Sequence, residues 1–341
     1  MVYDTSTQPF SVGDFIVLQE ASLVVCEAHG LSRVDVAILY DPSNPGSSNP
    51  VFTSHVTHEN VFYHLATLLP VAQVNPKLAS LLLFDSRRHF ESYATDNVDR
   101  YVIWPSGWQI ATRESVTLAA FRNLFDDRKT GRRALPHLSC RPHLKRWAEA
   151  FYAAHAGGRV PVTVNLRNNP GWHQERNSRF DAWLAFFSHC DGRYPAVFVV
   201  LCSRSEIDAR LRDCPNVVVA KDHGTGLEQD LALIHTSALH MGANSGPATM
   251  AWFNDKPYLM VNTLLRDGPM TLEPGMAVDV SPGKERFRFS SPLQHAVNAA
   301  ETKELLVEEF ERMWAAVDGS RWESSALDRS CRPTELKTWL R

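Results

Sequence analysis

The stretch "HMGANSGPATMAWF", His240 to Phe253, sets a small polar turn between an apolar run and a helix-forming one. The turn, Asn244-Ser245-Gly246-Pro247, falls where a strand's carboxyl end meets a helix's N-terminus. Free N–H groups and the helix dipole attract an anion at such a place, typically phosphate. Ser245 adds a hydroxyl, and Gly246 lets a ligand approach the backbone. A structural N-cap with a Gly-Pro turn would use the same residues, and the motif alone leaves both readings open. The spacing is not the G-x-S-x-G of a nucleophile elbow.

A second stretch, "NLRNNPGWHQERNSRF" (165–180), follows a β-branched run and precedes another helical pattern. It brings three arginines, Arg167, Arg176 and Arg179, to a second strand-to-helix junction. Arginine suits bidentate recognition of phosphate, and Arg167, directly after the strand, is the leading candidate. The alternative is a solvated loop, and Arg179 fits that role best. A third stretch, "KDHGTGLEQD" (221–230), holds only part of a dinucleotide fingerprint: Gln229 stands where the third glycine belongs. A nicotinamide site is therefore rejected. The position still suits ribose or base contacts from His223 and Thr225. Near the start, Gly13-Asp14 immediately precedes a helical pattern. Asp14 could be a general base on a glycine loop, or simply a helix N-cap.

Composition narrows the class. The 341 residues allow two domains and a large core. A net charge of −3 gives no whole-protein field for nucleic acid. The six cysteines form no C-x-x-C and read as reduced, structural thiols of a cytoplasmic protein. His55 and His58 lack metal spacing, and no HExxH, D-x-D, Walker A, kinase or deaminase motif occurs. No apolar run reaches ~18 residues, and "MVYDTSTQPF" has no signal-peptide pattern. No metal and no resident cofactor are expected.

The elements that would hold these residues alternate. In the C-terminal half, apolar runs at 160–166, 196–202, 216–220, 238–242 and 257–262 read as buried strands. Helical patterns at 178–190, 205–213, 225–235 and 247–253 separate them, the third opened by a Thr225/Glu228 capping box. The N-terminal half offers strands at 36–41, 81–85 and 101–105 and helices around 15–29, 60–69 and 112–125. The polar stretch before Gly13 offers no strong strand. A helix over 141–158 ends at Gly157-Gly158, and an amphipathic one covers 301–317. Strand–helix alternation predicts parallel sheets. The expected architecture is α/β, with two Rossmann-like domains facing a cleft: 1–157, 158–320, and a tail over 321–341.

In this order the parts resemble a GT-B glycosyltransferase, most closely the bacterial heptosyltransferases of surface-polysaccharide synthesis. Their aliphatic-Gly-x-Asp-Ser-Gly-Pro motif is similar to Met241 to Pro247, with Asn244 in place of Asp. Their leucine-rich helix resembles Leu227 to Ile234, and their Gly-Asp, whose Asp is the base, resembles Gly13-Asp14. The "LRNN" stretch is similar to fucosyltransferase-like members, where an arginine after the first C-terminal strand holds the donor diphosphate. The lysine these families carry there is absent, leaving Arg167 or Arg176 as its substitute. The resemblance implies inverting, metal-independent transfer of a hexosyl, deoxyhexosyl or heptosyl group. The donor would be a nucleotide-diphosphate sugar and the acceptor a glycan, lipid-linked or protein hydroxyl. It implies cytoplasmic action, with room for peripheral contact at the inner face of the membrane. A nucleotide-sugar epimerase, a pyruvyl transferase or a non-catalytic sugar-nucleotide-binding module would use the same parts.

Overall fold

The computed structural model describes residues 1–41, 56–110, 137–170, 174–261, 277–281, 284–287 and 290–317. The expected helix at 112–125 and tail at 321–341 lie outside the described residues, as do His55 and Cys331. Two sheets are present. A three-stranded parallel sheet is built from β1 (Val2–Asp4), β2 (Val34–Leu39) and β3 (Leu78–Phe84), in the order β1-β2-β3. Between and after them run α1 (Val12–Ala28), α2 (Val61–Leu68) and α3 (Arg87–Asp96). Helix α4 (Pro142–His155) then leads through Gly157 and Gly158, both at positive φ, into the second sheet.

The second sheet comprises β4 (Val160–Asn165), β5 (Ala196–Leu201), β6 (Val217–Val219), β7 (Leu239–Ala243), β8 (Tyr258–Val261), β9 (Ala277–Ser281), β10 (Lys284–Phe287) and β11 (Gln294–Val297). Its order is β6-β5-β4-β7-β8-β11-β10-β9. Pairing is parallel from β6 to β11, and an antiparallel hairpin, β9–β10, closes the edge. Helices α5 (Phe180–Cys190), α6 (Leu227–Thr236), α7 (Thr249–Trp252) and α8 (Lys303–Trp314) cover its faces.

Why β5 reads as an unbroken apolar run is clear from its two faces. Val197, Val199 and Leu201 point into the core shared with α1, α4 and α6. Phe198 and Val200 point into the core shared with α5 and α8. Both faces are dry, so polar alternation has no place. Each such side chain contributes roughly 1.5–3 kcal/mol on burial. The first of these cores also holds Tyr3, Val36 and Ile38 from the small sheet, so one apolar cluster joins the two halves. Leu138 N donates to Phe253 O and Ser139 N to Val74 O, tying the same junction by hydrogen bonds.

Several sequence expectations are corrected. Residues 101–105 form no strand; Trp104 O merely accepts from Val2 N, and Pro105 can donate no ladder bond. A strand does precede Gly13: the three buried residues of β1. The span 205–213 is two 3₁₀ turns, Arg204–Glu206 and Ala209–Asp213, interrupted where Asp208 caps the second through Arg210 N. Helix α6 starts at Leu227, and its capping bond runs from Gly226 N to Gln229 Oε1 rather than through Thr225 and Glu228.

The strand order reverses between β4 and β7, and Gly242 makes that junction fit. Its φ is 135°, and a Cβ there would lie 2.2 Å from Asn165 O across the ladder. Gly242→Ala should therefore cost roughly 2–5 kcal/mol through backbone strain and overpacking. A denaturation midpoint equal to the parent's would refute this account of the junction.

Helix α1 carries a second liability. Glu20 is fully buried and neither carboxylate oxygen has a partner. Burial raises its pKa well above 4.5, with a lesser push from Glu27. The folded chain thus holds the neutral acid, while the unfolded chain ionises. Stability is intact below the unfolded pKa and falls as pH rises from there toward the folded pKa, by ~1.4 kcal/mol per unit. Glu20→Gln should match the parent near pH 4 and surpass it increasingly toward pH 7. Parallel pH–stability curves for the two proteins would exclude the effect.

Candidate functional site

The crevice outside the carboxyl ends of β4 and β7 is the switch point of the large sheet, where ligands of such folds bind. The structure brings two of the sequence-predicted stretches together here. Arg167 leaves β4 and is 9% exposed. Its Nη1 donates to Asn177 Oδ1 at 2.6 Å, and its backbone is clamped by Ser178 on both sides: Arg167 N to Ser178 Oγ, and Ser178 N to Arg167 O. Asn177 Oδ1 also accepts from Asn169 N, so Asn177 and Ser178 are the positioning residues that the sequence reading missed. Their only signal was their place in a polar loop that must fold back.

Arg176 ends a 3₁₀ turn, Gln174–Arg176, and reaches across to β7, where its Nη2 donates to Asn244 O. Burial lowers its pKa to about 10, and the like charge of Arg167 lowers it further than Glu175 raises it. Arg167 is also lowered, chiefly by burial, against the pull of Glu206 and Glu175. Both remain cations at neutral pH. Two guanidiniums crowded at a partly dry strand end form an electrostatic deficit that an anion would relieve. Ser245 Oγ, next in sequence to the carbonyl that Arg176 holds, is buried without a hydrogen-bond partner.

The helix expected over 247–253 is shorter than its sequence pattern. Turns closed by Thr249 N to Gly246 O and Met250 N to Pro247 O lead into the single turn of α7. Four residues carry little macrodipole. Anion attraction here therefore rests on the two arginines, Ser245 and the local backbone.

Asp14 comes to the same place from the other half. The N-cap of α1 is Ser11, whose Oγ accepts from Asp14 N, so Asp14 is a first-turn residue and not the cap. A Cβ on Gly13 would meet Thr249 Oγ1 at 3.2 Å and Gly246 Cα at 3.5 Å. The α1 N-terminus thus abuts the turn at 244–249.

His223 and Thr225 are held differently. Lys221 Nζ bonds Asp230 Oδ2 at 2.5 Å and Thr225 O at 3.0 Å, a buried ion pair that shapes the loop. Burial raises the Asp230 pKa, and Lys221 opposes it. His223 is exposed, with its ring 3.9 Å from that of His155 and 5.7 Å from that of Phe151. It thus packs on α4. Arg179 is solvent-exposed, and its backbone N–H donates to the buried Glu301. Among the described residues no group of three or more His, Cys, Asp or Glu could hold a metal ion. None of the described helices is long and apolar enough to cross a membrane.

No family model and no curated protein matches the chain in sequence. Solved structures do match in shape. The glycosyl transferase family 9 protein of Veillonella parvula DSM 2008 superposes with a TM-score of 0.55 at 12% identity, covering 92% of this chain and 97% of its own. The E. coli ADP-heptose lps heptosyltransferase II gives 0.55 at 11% identity, covering 92% and 98%. The chain has the GT-B fold of these transferases.

The arginine pair generates a direct prediction. Arg167→Ala should weaken binding of inorganic pyrophosphate by ~1.5–3 kcal/mol, the value of a charge-assisted hydrogen bond. Isothermal titration measures this. Unchanged affinity with a collapsed melting temperature would make Arg167 a structural residue.

Proposed function

We propose that the chain is a glycosyltransferase that moves a sugar from a nucleotide-diphosphate donor to an acceptor hydroxyl. The observation that carries this is the Arg167–Arg176 pair at the switch point of the large sheet, beside the unpartnered Ser245 hydroxyl. The shared fold with two glycosyltransferases supports it. The second half, 158–320, would form the donor domain and the first, 1–157, the acceptor wall.

In this reading the donor diphosphate lies against Arg167, Arg176, Ser245 and the backbone at Gly246 and Pro247, with Asn244 presenting its carbonyl to Arg176. His223 and Thr225 lie along the loop that would meet the ribose or base. The acceptor oxygen attacks the anomeric carbon while Asp14 takes its proton. The bond from that carbon to the diphosphate oxygen breaks on the opposite face, so the configuration inverts. The nucleoside diphosphate leaves with the bonding electrons, and the arginines stabilise its growing charge. That task falls to a cation elsewhere; here two guanidiniums supply it, so we assign a metal-independent mechanism with no resident cofactor. Free thiols at all five described cysteines fit a reducing compartment, and we place the reaction in the cytoplasm.

Two measurements test the proposal. A thermal-shift panel of nucleoside diphosphates in EDTA should show one that stabilises the chain, following RT ln(1 + [L]/Kd). A response that vanishes in EDTA and returns with magnesium would overturn the metal-independent reading. Asp14→Asn should then leave that nucleotide's affinity unchanged while turnover falls ~10²–10⁴-fold. Near-normal turnover would remove Asp14 as the base, with Asp41 and Asp85, after the neighbouring strands, tested next.

A further inference from the structure

The first half presents an aromatic surface for which the donor site has no use. Phe62 and Tyr63, in the first turn of α2, are 63% and 72% exposed, among the largest exposures of any apolar side chain described. Burying such rings would normally be favourable, so their display needs a reason. They are not isolated. The Tyr40 ring, just past β2, lies 6.0 Å from Phe62 at 70°. His64 lies 5.4 Å from Tyr63 and 5.9 Å from Phe10. Phe10 directly precedes Ser11, the cap of α1, one turn from Asp14. The rings thus form two groups at the start of α2, Tyr40 with Phe62 and Phe10 with His64 and Tyr63, the second leading back to the cap of α1.

We propose that Tyr40, Phe62 and Tyr63 form a stacking platform for an uncharged saccharide acceptor, a proposal that rests on the transferase reading above. Three observations select this occupant. Aromatic faces carry partial negative charge. The axial C–H bonds of a pyranose, polarised by neighbouring oxygens, carry the opposite sign and present a flat apolar face to such rings. Rings near right angles to each other, Tyr40 to Phe62 and Tyr63 to His64, form steps rather than one flat sheet. Steps suit successive sugar rings with edge hydroxyls near Tyr63 and His64. Finally, residues 56–68 contain no lysine or arginine but do contain Glu59, and Asp41 follows Tyr40. Along that stretch an anionic lipid headgroup or an acidic glycan would meet two carboxylates, Asp41 and Glu59, and no lysine or arginine. The contacts from Tyr63 through His64 to Phe10, beside the cap of α1, make the bound sugar an acceptor rather than a remote anchor.

The test compares the parent with Phe62→Ala/Tyr63→Ala and with Phe62→Trp. Because both residues are largely exposed, the double variant should keep its melting temperature. Three probes are used: an array of neutral and acidic oligosaccharides, vesicles of phosphatidylcholine with phosphatidylserine, and the nucleoside diphosphate that stabilises the parent. The parent should bind at least one neutral oligosaccharide. The double variant should bind it about tenfold or more weakly, the loss of two stacking contacts. Phe62→Trp should retain it, and nucleotide affinity should not move. Oligosaccharide binding unchanged in the double variant, no neutral oligosaccharide bound by the parent, or vesicle binding lost in its place would each overturn the platform. Platform-dependent sugar binding without any nucleoside diphosphate binding would instead sink the transferase reading and leave the platform standing.

Discussion

Gly13 and Gly246 meet backbone to backbone, and the geometry of the site follows from that approach. A Cβ on Gly246 would sit 3.0 Å from Val12 Cβ and 3.2 Å from Gly13 N. Contacts under about 3.4 Å force a neighbour to give way, and here the neighbour is main chain. Glycine at 246 allows the first turn of α1 to abut the turn after β7, whereas a Cβ at 13 would press first on the Thr249 hydroxyl. The consequence is chemical. The start of α1, which carries Asp14, comes against the turn that Arg176 holds through Asn244, although about 230 residues separate the two in the chain.

The rest of the site answers to charge. Arg176 spends one donor on the Asn244 carbonyl, which fixes its guanidinium beside Arg167 despite their repulsion. Asn244 matters through its side chain as well. An aspartate in that position would add a carboxylate next to the arginine pair and offset part of its field. With asparagine the crevice keeps a larger positive excess, which suits a multiply charged anion. The buried Lys221–Asp230 pair is arranged oppositely: its charges cancel, so it shapes the loop bearing His223 and Thr225 without adding to that field.

What the sequence disclosed, and what it hid, divides along local and non-local lines. The strands β4, β5, β7 and β8 were legible because burial on both faces leaves uninterrupted apolar runs. Arg167 and Ser245 were legible as polar residues at strand-to-helix junctions. Strand β1 was hidden because three residues give no period, and its burial depends on pairing with β2. The hairpin β9–β10 was hidden because edge pairing depends on the partner strand more than on composition. Helicity over 205–213 was overcalled because Asp208 bonds its own backbone two residues on and breaks the segment in two. The meeting of Gly13 with Gly246 had no local signature: two glycines near helix starts look alike whether or not they touch.

The glycine contact also limits how the halves can move. Closure of a two-domain cleft excludes water and aligns donor with acceptor. Here the backbones at Gly13 and Gly246 already stand near van der Waals distance, so further approach along that line has no room. Separating the halves along that line would break this contact. The shared apolar cluster, running from Tyr3 and Phe15 through Leu231 to Met260, resists separation for the same reason: opening it exposes core to water. The rings of Tyr40, Phe62 and Tyr63 stand on the same half of the chain as Asp14. In the transferase reading, an acceptor held on these rings would reach Asp14 past Phe10 and the cap of α1.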